Sequence, residues 1–337
     1  MINTNNEEQM SHRERVATVL RGEEVDRPPV SMWRHFFTDE TSAEGLAEAM
    51  LGFQRRFDWD FMKINPRASY HTEDWGLQVS YEGRGEPQVL GWPIGAPEDW
   101  LKLEVLDPEK GVLGEQLSAV EAISRGLAGE VPFLMTVFTP LSIASRLVPS
   151  EDGFMEYIQS HWDDVSYALD VITETFVRFS KACLNRGASG LFYATTSWAT
   201  TDRMTSEEYT KYARPHDLKL LEALPETEFT MLHVCKDNNL LRSLTDYPVQ
   251  AFNWDARSRS NPSLAEGMAM VGSRTVVGGL DISSKLISSD PVATTAEVSG
   301  LGFAMGRRRW MLGTGCTFPP DVPEANIEAV HRASKAI

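Results

Sequence analysis

The chain has 337 residues, of which 42% are hydrophobic and 24% are charged, a composition typical of a globular protein with a sizeable core. Its 48 acidic and 32 basic residues give a formal net charge of −16, which disfavours binding to nucleic acid and to anionic membrane surfaces. No apolar run approaches the roughly 20 residues that a spanning helix needs, and the polar N-terminus lacks a signal core, so we expect a cytoplasmic protein.

The first predicted elements are a tail and a short helix. Residues 1–10 are predicted to form a flexible tail, and residues 11–337 are predicted to form a single domain. A helix is predicted at Arg13–Gly22, because its apolar residues share one face and Gly22 stands where a helix typically ends.

After this helix, eight short apolar segments typical of strands alternate with helical patterns. The strands are predicted at Pro29–Trp33, Phe61–Ile64, Pro132–Phe138, Gly190–Thr195, Thr230–Cys235, Ala251–Trp254, Thr275–Leu280 and Trp310–Gly315. The intervening helices are predicted at residues 41–55, 154–186, 206–223, 238–246, 263–271, 291–305 and 323–336. This alternation predicts an α/β fold, a single (β/α)₈ TIM barrel. A doubly wound open sheet is the alternative, disfavoured because no Gly-rich dinucleotide turn follows an early strand.

The interval between the second and third predicted strands is much longer than the others. Leu77–Gly95 alternates in the manner of strands around the turn "GRGEP" and predicts an inserted β-hairpin, followed by a helix near Leu113–Leu127. Insertions at the loop end of a barrel usually shape or cover its site.

The fifth and eighth predicted strands carry a potential metal site at their carboxyl ends. His233 and Cys235 are two residues apart and therefore face the same way, and Cys316 ends the eighth strand at the same catalytic rim. One imidazole and two thiolates suit Zn²⁺, and three protein ligands leave a position open for substrate. A lone His-x-Cys at a strand end is more often packing, so the prediction depends on all three residues meeting. The third cysteine, Cys183, falls within a long predicted helix and is interpreted as a buried apolar side chain.

Polar residues after the first two strands are candidates for contact with substrate. Arg34 and His35 follow the first strand. Lys63 and Asn65 are two residues apart at the second strand, and both are predicted to face the barrel lumen. Because they lie at strand carboxyl ends, Arg34, His35 and Asn65 are predicted to be catalytic and Lys63 to bind substrate.

Two further pairs complete the candidate site. Tyr70 and His71 could fold over the mouth and bind substrate, or lie on the surface of a loop. Asp255 and Asp281, near the ends of the sixth and seventh strands, could bind substrate, supply a fourth zinc ligand or orient His233. Alternatively, one of these carboxylates could pair with Lys63.

Three segments of the chain resemble the uroporphyrinogen decarboxylases and their relatives. The segments are Arg13–Arg34, Gly278–Ile282 and Leu312–Val330, in the order and spacing of that family. The resemblance extends from about residue 12 to the C-terminus, and it implies the same (β/α)₈ barrel.

The residues that the decarboxylases use are only partly retained. The resemblance implies that Arg34 and Ser197 match family positions, and Ser197 is therefore a candidate for substrate binding. The family's aspartate appears replaced near Asn65, its tyrosine aligns with Arg146, and its late histidine is Thr314. Most groups that hold a tetrapyrrole are missing, so porphyrinogen decarboxylation is disfavoured.

A second branch of the family resembles the chain more closely. Methylcobamide:thiol methyltransferases of the kind that serve coenzyme M bind zinc through His-x-Cys and a later Cys, which matches His233, Cys235 and Cys316. This resemblance implies a zinc-dependent enzyme that moves a methyl group between a corrinoid, or a small methylated substrate, and a zinc-activated thiol. The corrinoid is expected on a partner protein, because no Asp-x-His-x-x-Gly motif is present.

Two alternatives stay open. One is a metal-free decarboxylase or lyase on the same barrel, which would need neither zinc nor Cys316. The other is a non-catalytic protein that binds a corrinoid or tetrapyrrole without turnover. The sequence does not decide the direction of methyl transfer, the methyl donor or acceptor, or the oligomeric state.

Overall fold

A computed structural model describes residues 9–82, 85–282 and 290–337. Its strands are β1 Val30–Ser31, β2 Met62–Ile64, β3 Gln78–Ser80, β4 Gln88–Gly91, β5 Phe133–Phe138, β6 Gly190–Ala194, β7 Met231–Val234, β8 Ala251–Trp254, β9 Thr275–Leu280 and β10 Trp310–Thr314. Eight of them form one parallel sheet in the order β1-β10-β9-β8-β7-β6-β5-β2. The main-chain amide of Asp60 donates to the Val30 carbonyl at 2.9 Å and joins the two ends of this sheet. The predicted (β/α)₈ barrel is confirmed, and each of its eight predicted strands overlaps an observed one.

Helices surround this sheet, and several begin at a capping box in which a Ser or Thr exchanges hydrogen bonds with a Glu three residues on. The helices of the described residues are α1 His12–Leu20, α2 Ala43–Phe57, α3 Tyr70–Glu73, α4 Gly111–Leu127, α5 Pro140–Ala144, α6 Glu151–Ser160, α7 Trp162–Asn185, α8 Ser206–Tyr212, α9 Arg214–Glu222, α10 Leu264–Met270, α11 Pro291–Met305 and α12 Glu324–Ser334. None of these helices is both long enough and apolar enough to cross a membrane.

Three helix predictions are wrong in detail. The helix predicted at 154–186 is two helices, α6 and α7, because His161 leaves the helical region with φ −137° and ψ 41°. The helix predicted at 206–223 is also divided, since Pro215 cannot donate the hydrogen bond that would continue α8 and so starts α9 instead. Of the helix predicted at 238–246, only a 3₁₀ turn at Leu241–Ser243 is present.

The amino end of the barrel is closed by α1. Val16 and Val19 of this helix pack into the lower barrel core with Phe61, Leu134 and Met231. The carboxyl end therefore remains as the opening to solvent.

A buried carboxylate fixes this closure. Asp60, which is fully buried, accepts hydrogen bonds from Arg15 at 2.6 Å and Arg27 at 2.5 Å, and it contacts His12 at 3.0 Å. Of the predicted flexible tail, residues 1–8 lie outside the described residues, and the amides of residues 9 and 10 donate to the Asp26 carboxylate.

The segment between β2 and β5 carries a separate two-stranded sheet. β3 and β4 pair antiparallel, with Val79 opposite Val89, in the segment where the sequence predicts a hairpin. Two residues of their connection, 83–84, lie outside the described residues. The chain then passes through a 3₁₀ helix at Pro97–Lys102 to α4.

Candidate metal centre and substrate cavity

The carboxyl ends of β7 and β10 bring three potential metal ligands together. His233 lies in β7, Cys235 follows that strand directly, and Cys316 follows β10. The two Sγ atoms are 3.8 Å apart, although 81 positions separate the cysteines in the chain. One ligand atom from each of the three residues lies within 4.8 Å of the others. The convergence that the sequence analysis requires is therefore present.

A glycine allows Cys316 to approach the other ligands. A Cβ atom on Gly315 would lie 2.7 Å from Cα of Asp255, closer than side-chain carbons come to a neighbouring backbone. The loop after β10 thus passes against the loop after β8 only because residue 315 has no side chain. Directly beyond Cys235, Lys236 adopts a left-handed conformation with φ 67°, a conformation that is often found at functional sites when the residue is not glycine.

Asn253 fixes the orientation of the His233 ring. Its amide nitrogen donates to the carbonyls of Val277 and Thr314, both at 2.9 Å, so both amide hydrogens are used and Oδ1 must act as an acceptor. His233 Nδ1 lies 2.6 Å from that oxygen and therefore carries the proton. Nε2 is left with its lone pair available, which is the state in which a neutral histidine binds a metal.

The donor set fits zinc. With zinc–sulfur bonds of about 2.3 Å, tetrahedral geometry places two sulfur ligands about 3.8 Å apart, which is the separation found between Cys235 and Cys316. A hydrogen bond from the Cys235 thiol lowers the pKa of the Cys316 thiol against the opposing effect of burial. One of the two sulfurs is therefore prepared to act as a thiolate, the form that binds metals.

The three ligands line a cavity of about 790 Å³ at the open end of the barrel, which we call the main cavity. The ring of Phe192 forms part of its wall, stacked on His233 with ring centroids 5.1 Å apart. Lys63 Nζ lies 4.8 Å from the centre of the same ring. Lys63 is only 4% exposed and has no hydrogen bond or ion pair within the described part of the chain. Burial lowers the pKa of Lys63 to about 7, although Cys316 and Glu40 act in the opposite direction.

Acidic groups pair with two of the arginines at the cavity. Arg67 binds Glu73 at 2.7 Å, and Arg203 binds Glu151 at 2.5 Å and Asp152 at 3.0 Å. These pairs hold the loops around the mouth in place.

Four predicted site residues besides the metal ligands line the main cavity, namely His35, Lys63, Ser197 and Asp255. His35 Nδ1 contacts Glu40 at 2.9 Å, and the Ser197 hydroxyl donates to Glu151. Asp255 accepts from the amide of Arg257 at 2.9 Å and is not grouped with the three metal ligands. The predicted pairing of Lys63 with Asp255 or Asp281 is absent, since no ion pair joins Lys63 to either described carboxylate.

Two other residues predicted to contact substrate, Arg34 and Tyr70, do not line the main cavity. Arg34 lies away from the main cavity, against the rings of Phe36 and Phe53. Tyr70 is fully buried, and its hydroxyl donates to the Thr136 carbonyl at 2.6 Å, so it supports the barrel wall rather than covering the mouth.

Three further candidates, Asn65, Asp281 and His71, also lie outside the lining of the main cavity. Asn65 is buried and donates to Thr317 at 3.4 Å, which places it behind the loop that carries Cys316. Asp281 does not line the main cavity. His71 lines a neighbouring chamber instead.

Asn253 and Phe192 are site residues that the sequence analysis missed. The sequence does contain an indication for Asn253. An Asn in the middle of the buried segment "AFNW" needs hydrogen-bond partners, and the alternation of side chains along the strand predicts that it faces the barrel lumen. The sequence analysis gives the role of orienting His233 to Asp255 or Asp281 instead. Nothing in the sequence indicates that Phe192 lines the site, since an aromatic residue in a barrel strand usually belongs to the hydrophobic core.

Comparisons with known proteins place these observations in a family. The family model described as uroporphyrinogen decarboxylase matches residues 11–337. The chain is 24% identical to the methylcobamide:CoM methyltransferase MtbA of Methanosarcina mazei, over 96% of this chain and 97% of that protein. It is 25% identical to the uroporphyrinogen decarboxylase of Pectobacterium atrosepticum, over 88% and 85%. A solved structure titled as a methyltransferase from Methanosarcina mazei shares the fold, with a TM-score of 0.83 and 20% identity over 97% of this chain and 99% of that one.

Proposed function

The chain belongs to the uroporphyrinogen decarboxylase family, and we propose that it is a zinc-dependent methyltransferase of that family. The proposed reaction moves a methyl group between a corrinoid, or a small methylated compound, and a thiol. The observation that carries the proposal is the meeting of His233, Cys235 and Cys316 at the wall of the main cavity.

The donor set favours this reaction over decarboxylation. A porphyrinogen decarboxylase has no need of two sulfurs and an oriented imidazole at one point. A bound Zn²⁺ would favour the thiolate form of a coordinated thiol at neutral pH, so that the sulfur is nucleophilic toward a methyl group. The similarity to relatives named as methylcobamide:CoM methyltransferases supports the same choice.

The surrounding residues support the binding of an anionic sulfur. Asn253 holds the His233 ring with Nε2 free, so no reorientation is needed when a ligand binds. Lys63 places a buried amine near Cys316, and its protonated form favours an anion in the main cavity. Phe192 packs against both side chains and limits the access of water.

The methyl donor is proposed to be a corrinoid carried by a partner protein. In this direction the carbon–cobalt bond breaks with its electron pair left on cobalt, a carbon–sulfur bond forms, and the thiol proton is released. The open carboxyl end of the barrel provides the approach, because the amino end is closed by α1.

Methyl transfer from methylcobalamin tests the proposal. The zinc-loaded protein, supplied with methylcobalamin and a panel of small thiols that includes coenzyme M, is expected to form the methyl thioether. Cys316→Ala should lower this rate by about 100-fold or more, since it removes one sulfur of the site. Cys183→Ala is the matched control, because Cys183 is fully buried in α7, away from the site.

Two results would count against a methyltransferase. One is an equal rate of thioether formation in the Cys316→Ala variant and the wild type. The other is decarboxylation of uroporphyrinogen by wild-type protein from which metals have been removed by a chelator.

A further inference from the structure

A second cavity lies beside the main one, beneath the β3–β4 sheet. This hairpin chamber has a volume of about 400 Å³ and is lined by His71, Val89, Trp92, Phe138, Arg146 and Pro149. Phe138 and Arg146 also line the main cavity, so the two spaces meet at these residues. A molecule bound at the metal centre can therefore extend into the chamber.

The walls of the chamber combine polar groups, among them the carboxylates of Glu86 and Glu151, with an apolar and aromatic stretch. Val89 comes from β4 and Trp92 from the residues just after it, and Trp92 is 39% exposed. The ring of His71 lies against Phe138, with centroids 4.4 Å apart. Flat, rigid walls of this kind favour the burial of an aromatic or other apolar group.

His71 adds a polar group that has no partner. It is 7% exposed, and its Nδ1 has no hydrogen-bond partner among the described residues. Burial, together with the charge of Arg146, lowers the pKa of His71 to about 3, so the ring is neutral near pH 7. A buried imidazole without partners carries a desolvation cost, which a hydrogen bond from a ligand in the chamber would offset.

Arg146 supplies a positive charge at the junction of the two cavities. Its side chain is exposed, and its guanidinium has no hydrogen bond or ion pair with any described residue. Arg67 and Arg203, which line the main cavity, are both neutralised by acidic partners. Arg146 is therefore free to bind a carboxylate, sulfonate or phosphate through paired hydrogen bonds.

The two cavities together are large for a two-carbon thiol. Pockets of about 300–1,000 Å³ typically hold drug-sized ligands, and the main cavity alone is near the upper end of that range. We propose that the hairpin chamber binds the distal part of the small-molecule substrate, which is an organic anion with an aromatic or apolar body whose charged group is bound by Arg146. The proposal rests on the proposed function only in placing the sulfur of that molecule at the metal centre.

Matched thiols test the proposal by calorimetric titration of the zinc-loaded protein. The probes are 4-(mercaptomethyl)benzoate and its neutral counterpart 4-(mercaptomethyl)benzyl alcohol. The carboxylate is expected to bind about 10-fold or more tightly than the alcohol, as a charge-assisted hydrogen bond predicts. Arg146→Gln should abolish this preference, whereas Arg178→Gln, an exposed arginine of α7 paired with Glu174, should retain it.

A second substitution tests the apolar part of the chamber wall. Trp92→Ala is expected to weaken the binding of both aromatic thiols several-fold and to leave 2-mercaptoethanol unchanged. Leu90→Ala is the control, because Leu90 is 59% exposed and does not line the chamber. Equal affinities for the carboxylate and the alcohol, or an unchanged preference in Arg146→Gln, would overturn the proposal.

A probe without sulfur separates this proposal from the methyltransferase proposal. 4-Methylbenzoate cannot bind through a thiol, yet it should bind weakly to the chamber and lose that binding in Arg146→Gln. If this binding is found but no thiol binds, the chamber proposal stands and the methyltransferase proposal fails. If thiols bind with no dependence on Arg146 or Trp92, the chamber proposal fails alone.

Discussion

At the scale of single residues, the candidate site depends on side chains that are held before any ligand arrives. Asn253 uses both of its amide hydrogens on backbone carbonyls and presents its oxygen to His233. Lys63 is a buried amine without a counter-ion in the described chain. Neither arrangement is required for the packing of a barrel, which indicates that both serve the cavity.

Replacing Asn253 tests its role in positioning His233. Asn253→Leu keeps a similar volume but removes the acceptor for Nδ1, so the tautomer and ring orientation are no longer fixed. The affinity for zinc is expected to fall by about 10- to 100-fold, as for other residues that orient metal ligands. Competition with a chromogenic chelator measures this affinity. Asn253→Asp, which keeps the acceptor, should retain most of it, and a Leu variant with wild-type affinity would refute the role.

Replacing Lys63 is predicted to raise the stability of the protein and to weaken its binding of anionic thiols. Burial lowers the pKa of Lys63 to about 7, far below the value of about 10.4 in an unfolded chain. The folded state therefore binds the proton less tightly, and this group's contribution to stability rises with pH from about 7 to about 10. Lys63→Met removes the penalty at lower pH, so the metal-free variant should be more stable at pH 6, by on the order of 2 kcal/mol.

Urea unfolding at pH 6 and pH 9 measures this difference, which should shrink at the higher pH. The same variant should bind anionic thiols more weakly, because the buried positive charge is gone. A Lys63→Met protein that is destabilised at pH 6 would show that Lys63 is a structural residue.

At the scale of elements, α1 and the start of β2 are joined by one carboxylate. Asp60 lies between the buried guanidinium groups of Arg15 and Arg27. Although burial opposes it, the hydrogen bond with His12 and the charges of Arg27 and Arg15 hold the pKa of Asp60 far below its usual range. The group also accepts from the Val30 amide at 2.8 Å. It therefore links the first helix, the first strand and the second strand.

Asp60→Asn is expected to destabilise the protein by about 3–5 kcal/mol, since it removes the charge that compensates two buried cations. Asp58→Asn is the control. Asp58 pairs with His12 and Lys335 at half-exposed positions, and its loss should cost less than about 1 kcal/mol. Chemical denaturation of both variants at pH 7 measures the difference, and equal costs would contradict the role given to Asp60.

The elements themselves were predictable because the barrel's strands are short apolar runs separated by amphipathic helices. This pattern predicts all eight strands, including β7, which carries His233, and β10, which Cys316 follows. The break at His161 was not found, because the apolar face continues across it from α6 to α7. Arg34 and Tyr70 lie away from the main cavity because their directions depend on the packing of the loops after β1 and β2, which strand position alone does not predict.

At the scale of the whole molecule, the barrel joins residues that the chain keeps apart. β7 and β10 are separated in the sheet by β8 and β9, yet their carboxyl ends meet above the lumen. The net charge of −16 disfavours anions over the surface in general. Lys63 and Arg146 line the main cavity and supply positive charge there, which favours an anionic molecule at the open end.

The zinc content of the purified protein, measured with X-ray absorption at the zinc edge, tests the central claim most directly. The account predicts about one zinc per chain, bound by two sulfur ligands at about 2.3 Å and by nitrogen, in wild type and Cys183→Ala alike. Cys235→Ser should lose most of the metal. Equal zinc in Cys235→Ser and wild type, or a bound zinc without sulfur neighbours, would contradict the claim that His233, Cys235 and Cys316 form one metal centre.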